Sequence, residues 1–387
     1  MILKWTKKTG RFLCVFWLVI LASCAGKDQG GSFDRYFEKS ASVVKYAHYF
    51  DLYENGPLKK LVIYDPFGNG GEKIFYLADS AVYDRYVRKM PRLIKIPFRR
   101  AGVLSATQVD GMIRLGLLNK LGGVADARFF VNEQVKRKLK SGEIKEVASG
   151  GRFFVETAIM SGLDIVFYSP FKKGTELELQ KNILTVPYFD FMENNPLGRA
   201  EWVKITGLFF GKEKQAGQLF DQVAKRYGQL KKLVEVYLER TPEKERPSVF
   251  SGKYVNGQWY VPGGKSYVAH LFKDAGADYV FASDSSVNSI PLDFEVVYQK
   301  AKDADYWRML GGISTMETPY QYLAEENMLY TRFKAFKQRH IIFCDPVKTA
   351  YFEKATLEPD VVLSDFVKVF FPSLVTDHQP VYYKLLK

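Results

Sequence analysis

Gly263-Gly264-Lys265-Ser266 has the ending of a phosphate-binding loop, in which backbone amides and a lysine cradle a polyphosphate. The complete loop needs a further glycine, separated from the Gly-Lys pair by four residues; that position, 259, is Trp, so the spacing fails. The two glycines are expected to let the chain turn tightly into a helix. Around them, residues 254–267 concentrate rings: Tyr254, Trp259, Tyr260 and Tyr267 flank Lys265 and Ser266. Rings give large contact area at small entropic cost, which suits a flat or apolar ligand. Arg152 and Lys265 are cations that could pair with a carboxylate or phosphate, the arginine through two parallel hydrogen bonds. Core packing explains any single ring equally well, so the segment is a stronger candidate than its members.

Catalytic patterns do not appear. The histidines are His48, His270, His340 and His378, and none stands in an H-E-x-x-H spacing. There is no G-x-S-x-G elbow, and Ser169 precedes a proline with no histidine near it in sequence. His270, in Val268-Ala269-His270-Leu271, reads as a satisfied histidine on a helix face rather than a haem ligand. No enzyme activity, resident cofactor or metal site is expected.

The N-terminus carries its own chemistry. Lys4, Lys7, Lys8 and Arg11 precede an apolar run, Phe12 to Leu21, which is too short to span a bilayer. A basic head and a short apolar stretch make a secretory signal. Leu21-Ala22-Ser23-Cys24 resembles a lipobox, so residues 1–23 are expected to be removed and Cys24 acylated. Residues 24–32 then form a polar tether. Cys14 leaves with the signal, and Cys344, in the apolar run after His340, is expected to be a buried, inert thiol. Loss of four basic residues lowers the net charge from +13 to +9. An exported chain without a nucleic-acid module gives no reason to expect a nucleic-acid partner; a solvated basic surface near anionic lipid or ligand is the reading adopted.

The elements that must position these groups follow from periodicity. Short apolar strands alternate with helical stretches from about residue 90: 92–97, 123–125, 144–148, Leu163 to Tyr168 and 183–188 read as strands, with helices over 109–118, 132–139 and 154–160. Such alternation builds βαβ units and a mainly parallel sheet. Tyr53-Glu54-Asn55-Gly56 predicts an additional hairpin ahead of them. Residues 212–241 lack this alternation, and Leu219, Val223, Tyr227, Leu230, Val234 and Tyr237 recur every three or four positions, predicting one long amphipathic helix. The α/β pattern then restarts. The expected organisation is an N-terminal lobe at 33–211, a connecting helix at 212–241 and a C-terminal lobe at 242–387.

This order resembles the substrate-binding lipoproteins of ABC importers for iron–siderophores, haem and cobalamin. Val103-Leu-Ser-Ala-Thr-Gln108 is similar to the family's first cleft loop, and Lys145 to Gly151 followed by Glu156 to its next loop and helix. Pro196 to Trp202, Gln258 to Tyr267 and Leu271 to Ala277 are similar to segments of one lipoprotein branch; together the likeness spans about residues 58 to 387. The resemblance implies an α/β fold of two Rossmann-like lobes joined by one long helix, with a ligand cleft between them. It implies capture of a metal chelate by Thr107, Gln108, Arg152, Tyr168 and Ser169 on one lobe and Tyr254, Trp259, Tyr260, Lys265, Ser266 and Tyr267 on the other. It further implies delivery to an ABC permease dimer with its ATPase, docked through Glu156 and Glu295, with Asp293 the competitor in the second lobe. A surface or adhesion lipoprotein and an exported hydrolase are the alternatives. The added hairpin departs from the minimal family plan.

Overall fold

A computed structural model describes residues 31–68, 71–175, 177, 179, 183–240, 242–313 and 317–387. The expected signal, Cys24 and most of the tether lie outside the described residues. Residues 1–39 form one unit, of which the described part begins with a single helical turn, α1 (Gly31–Asp34). Ser40 to Lys387 form the other unit.

That larger unit opens with an antiparallel meander, β1 (Phe50–Asn55), β2 (Leu58–Tyr64) and β3 (Glu72–Asp79). Asn55 pairs with Leu58, so Gly56-Pro57 makes the expected hairpin turn. A short helix, α2 (Tyr83–Tyr86), leads to β4 (Ile94–Ile96), which pairs parallel to β3. Just before the meander, five consecutive amides are held by two buried carboxylates. Lys45, Tyr46 and Ala47 donate to Glu201, and His48 and Tyr49 donate to Glu193.

The first lobe then builds a six-stranded sheet. Its strands are β5 (Ala101–Val103), β6 (Leu121–Ala125), β7 (Lys145–Ser149), β8 (Arg152–Phe153), β9 (Ile165–Tyr168) and β10 (Leu184–Pro187), in the order β10-β9-β5-β6-β7-β8. All neighbours are parallel except β7 and β8. Helices α3 (Val109–Arg114), α4 (Glu133–Ser141) and α5 (Val155–Met160) make the crossovers. Parallel strands covered on both faces read as continuous apolar runs, as β9 does: every residue of Ile165–Tyr168 is buried.

Helices α6 (Pro196–Glu201) and α7 (Val203–Phe209) lead into α8 (Glu213–Leu238), the long helix. Its 26 residues reach about 39 Å at 1.5 Å each. Ala216, Phe220, Val223, Tyr227 and Val234 form its buried stripe. The opposite face exposes Lys214, Asp221, Lys225 and Lys232 and, near its end, Leu233 and Val236.

The second lobe contains a five-stranded sheet and a three-stranded one. In chain order the strands are β11 (Ser248–Ser251), β12 (Lys253–Val255), β13 (Gln258–Pro262), β14 (Asp278–Tyr279), β15 (Ser289–Leu292), β16 (Tyr306–Leu310), β17 (Ile341–Cys344) and β18 (Lys384–Leu385). The larger sheet runs β14-β11-β16-β17-β18 and the smaller β12-β13-β15. The helices are α9 (Tyr267–Asp274), α10 (Phe294–Ala301), α11 (Pro319–Glu326), α12 (Lys334–Lys337), α13 (Tyr351–Lys354) and α14 (Pro359–Phe370). Long helix α8 is pinned to this lobe by Arg226 on Asp360 at 2.5 Å, Lys231 on Asp274 at 2.8 Å and the Tyr227 hydroxyl on Asp274 at 2.7 Å.

Residues 254–267, expected as an aromatic loop, are instead mostly a hairpin of β12 and β13. The signal was Asn256-Gly257: both residues have positive φ, 49° and 87°, as a two-residue turn between twisted strands requires. The glycines at 263 and 264 serve close approach rather than a special dihedral. A Cβ on Gly264 would lie 2.4 Å from the Asp284 carbonyl oxygen, and one on Gly263 2.3 Å from that of Ser286.

Candidate functional site

The loops at the carboxyl ends of the parallel strands assemble the site. After β5, Ser105 caps the turn Ala106–Gln108 by accepting from the Thr107 amide, and its hydroxyl lies 2.9 Å from that of Thr107. Gln108 is buried and donates to the Ser169 hydroxyl at 3.1 Å. Thr107 also reaches the buried carboxylate of Asp190, whose ordinary value is 3.8. Burial lifts Asp190 to about 6, against the opposing pull of that hydrogen bond and of the Arg199 charge. One carboxylate oxygen of Asp190 and the amide oxygen of Gln108 have no hydrogen-bond partner within the protein among the described residues. The sequence expectation for Thr107, Gln108 and Ser169 therefore lands on one polar cluster.

From α6, Arg199 donates to the carbonyl oxygens of Phe191 at 2.5 Å and Glu193 at 3.2 Å. Its guanidinium lies 4.2 Å from the ring centre of Tyr267, on the other lobe. From β16, Arg308 is only 7 % exposed. It donates to the hydroxyls of Ser251 and Tyr383, and its Nε has no partner among the described residues. Neither arginine forms an ion pair with a carboxylate there. Both line a cavity of about 280 Å³, together with Ser266, Tyr267, Tyr351 and Phe352. Arg199 comes from the first lobe and the other five from the second, so this is the cleft between them. Guanidinium stays charged at any accessible pH. Burying the Arg308 charge with hydroxyl partners alone is costly, and an anion arriving in the cleft would relieve that cost.

The lobes also touch beside the cleft. Glu353 of α13 accepts from the amides of Val131 and Asn132 in the first lobe, the latter at 3.2 and 3.3 Å. Arg114 of α3 pairs with Glu358, whose other oxygen takes the Tyr382 hydroxyl.

The remaining expected ligand residues disperse. Trp259 is a correction: it is 0 % exposed, donates to the Ser251 carbonyl at 3.2 Å, and packs among Phe250, Trp307, Tyr330 and Phe333. Alternation along β13 sends Trp259 inward and Tyr260, 44 % exposed, outward. Tyr254 is half-buried on β12, and Lys265 is exposed beside the helix start. Neither they nor Tyr260 line the cleft cavity. Ser266 does, although its hydroxyl is engaged in capping α9 at the Ala269 amide. Arg152 is exposed at the sheet edge on β8. Tyr168 lines a separate hollow of about 300 Å³ with Pro187 and Phe189, against Asp65 and Glu72 of the meander. Glu156 and Glu295 are exposed in the first turns of α5 and α10. His270 is satisfied by the Ser266 carbonyl at 3.0 Å, and Cys344 is buried. Among the described residues, no group of three or more His, Cys, Asp or Glu could hold a metal.

Sequence reasoning missed Arg199 and Arg308. Arg199 lies within Pro196 to Trp202, a segment noticed only for its likeness. Arg308 sits in Tyr306-Trp-Arg-Met-Leu310, where a cation inside an otherwise apolar run is the available signal.

Residues 103–347 match a family model described as periplasmic binding protein. An uncharacterized lipoprotein of Methanocaldococcus jannaschii is 26 % identical over 295 residues, covering 73 % of this chain and 67 % of its own. A periplasmic heme binding protein from Pseudomonas aeruginosa superposes with a TM-score of 0.54 at 15 % identity, covering 71 % of this chain and 94 % of that one. The siderophore binding protein BauB, bound to two molecules of acinetobactin and ferric iron, gives 0.54 at 17 % identity, covering 80 % and 98 %. At such identities the likeness speaks for the fold.

Proposed function

Starting from a chain that belongs to the periplasmic binding protein family, we propose that it is the substrate-binding component of an ABC importer and that its cargo is an anionic metal chelate. Iron–siderophore or haem is the favoured class, with cobalamin the close alternative. The observation that carries this is the pair Arg199 and Arg308, one guanidinium from each lobe, lining one cavity and neither forming an ion pair among the described residues, although Glu193 lines the same cavity. A ligand carboxylate, phosphate or catecholate oxygen would bridge the lobes through both. The Tyr267 ring, held under Arg199, supplies an apolar face. Burial pushes the Tyr267 phenol well up, and its hydroxyl is hydrogen-bonded to Tyr351. At about 280 Å³ the cavity is at the low end for small-molecule sites, which fits the acidic end of a chelate whose bulk extends past the rim. In the importer role, the exposed Glu156 and Glu295 are the permease-docking charges, and acylated Cys24 holds the protein in the cell envelope.

The test is a titration of purified protein with haem, a panel of ferric siderophores and cobalamin, followed by tryptophan fluorescence and ligand absorbance. Charge-assisted hydrogen bonds contribute about 1.5–3 kcal/mol each, so Arg199→Gln and Arg308→Gln should each weaken the bound chelate roughly ten- to a hundredfold. Tight binding of a sugar or amino acid in place of every chelate would overturn the reading. So would full affinity in the double variant.

A further inference from the structure

The end of the first lobe opposite the cleft is strongly basic. Residues 85–100 contain seven basic residues, Arg85, Arg88, Lys89, Arg92, Lys95, Arg99 and Arg100, and no acid. Two hollows fix where this segment lies. The β2–β3 end with Asp65 and Glu72 shares one with Tyr168 and Pro187, at the carboxyl ends of β9 and β10. Ser80, Lys95 and Arg99 share the other with Asp164 and Ile183, at the amino ends. The amides of Arg99 and Arg100 donate to Asp164 at 3.0 and 2.9 Å, and the Arg100 guanidinium reaches the Glu143 carbonyl, which brings in the start of β7. Lys140 and Lys145 add exposed cations there.

Most of this charge is uncommitted. Arg85, Arg88, Lys89 and Arg92 are exposed and form no ion pair among the described residues. Asp164 and Glu143 at this end are engaged by Arg99 and Lys138, which leaves exposed Asp84 of α2 as the acid set among these cations. Half-buried Tyr86, Val87 and Phe98 lie between the cations. The matching end of the second lobe differs, because Asp303 and Asp305 interrupt Lys302 and Lys334, and Lys334 is paired to Asp305 at 2.6 Å.

We propose that this face of the first lobe rests on an anionic phospholipid surface, holding the cleft turned away from the bilayer while the protein waits for ligand. Charge complementarity selects the partner: lysines and arginines gathered at one end of the lobe, most of them exposed and without an ion pair, match an anionic lipid headgroup layer. The site is remote from Arg199 and Arg308, so lipid and ligand do not compete, and the inference does not depend on which chelate the cleft takes.

The full chain, reconstituted into vesicles, carries a fluorophore on a cysteine introduced by Pro91→Cys at the basic end or Val287→Cys at the cleft, and a nitroxide-headgroup lipid serves as quencher. In the processed, acylated chain Cys14 is gone and Cys24 is blocked, and buried Cys344 does not compete for the label. Quenching at position 91 should be several-fold stronger in phosphatidylglycerol-containing vesicles than in phosphatidylcholine alone. Position 287 should show no such difference. Each basic group near an anionic leaflet favours association about fivefold, so Arg85→Glu, Arg88→Glu, Lys89→Glu and Arg92→Glu together should abolish the difference, as should about 0.5 M salt, which shortens the screening length to about 4 Å. The charge variant should keep the parent's thermal midpoint and chelate titration, which separates this test from that of the cleft. Equal quenching at 91 in both lipids, or selective quenching at 287, overturns the proposal. Retention on immobilised heparin or RNA with position 91 unquenched assigns the face to a soluble polyanion and overturns it as well.

Discussion

At the scale of single residues, the site is defined by charges that the protein holds without an ion pair. Arg308 is held by hydroxyls and Arg199 by carbonyls, which position a guanidinium without neutralising it. Asp190 is the mirror case, an acid buried near Arg199 and lifted to about 6. Its folded value lies above its unfolded one, so folding prefers the protonated form. Its contribution to stability is fully present below about 3.8 and is lost as pH rises through about 6. Asp190→Asn should therefore flatten the stability curve between those values and stabilise the fold at neutral pH by roughly 1–3 kcal/mol. Urea unfolding of parent and variant across that range measures it; an unchanged difference between acid and neutral pH would show that Asp190 stays ionised. Little of this was legible beforehand. Trp259 and Arg308 illustrate why: sequence shows a residue's chemistry but not its side of a strand. The alternation that buries Trp259 becomes readable only once Asn256-Gly257 is taken as a hairpin turn.

Among the elements, α8 decides how the lobes can move. One continuous helix bends less than several extended crossovers would; its ion pairs to α9 and α14 fix its later turns to the second lobe, while Phe220 packs on Tyr46 and Lys204 of the first. Glu353 and Arg114 add ties beside the cleft. Ligand binding should accordingly change the radius of gyration by little, with scattering profiles of free and loaded protein nearly superimposing. A large compaction would mean that α8 yields. This helix was readable because a 3.6-residue apolar stripe without proline has few other solutions, as were β9 and β10 from their apolar runs. Strands β5 and β16 were not: Ala101–Val103 is too short to show a period, and Arg308 breaks the apolar run of the other.

For the whole molecule, delivery to a permease would use a surface that plays no part in holding ligand. Glu156 and Glu295 are exposed, one per lobe, and neither lines the cleft cavity. Changing both to Ala should leave chelate affinity intact and lower uptake, with each single change costing less than the pair. A binding titration beside a transport assay decides this, and lost affinity in folded protein would move the two residues into the cleft. The two-lobed plan was legible because alternation, a long helix and renewed alternation admit few other arrangements. The meander's placement against β10 was not, since nothing local specifies a packing partner. The grip of Glu193 and Glu201 on residues 45–49 has a mechanical reading. Any pull along the chain ahead of Ser40 meets five amides held by two buried carboxylates before it reaches β1. Glu193 also accepts from the Trp202 indole and Glu201 from Lys204, so the load passes into α6 and α7 in the interior. The segment works as a strain relief, like the clamp on a cable: tension on a tether would be taken up there, and the strands of the meander would not be peeled apart.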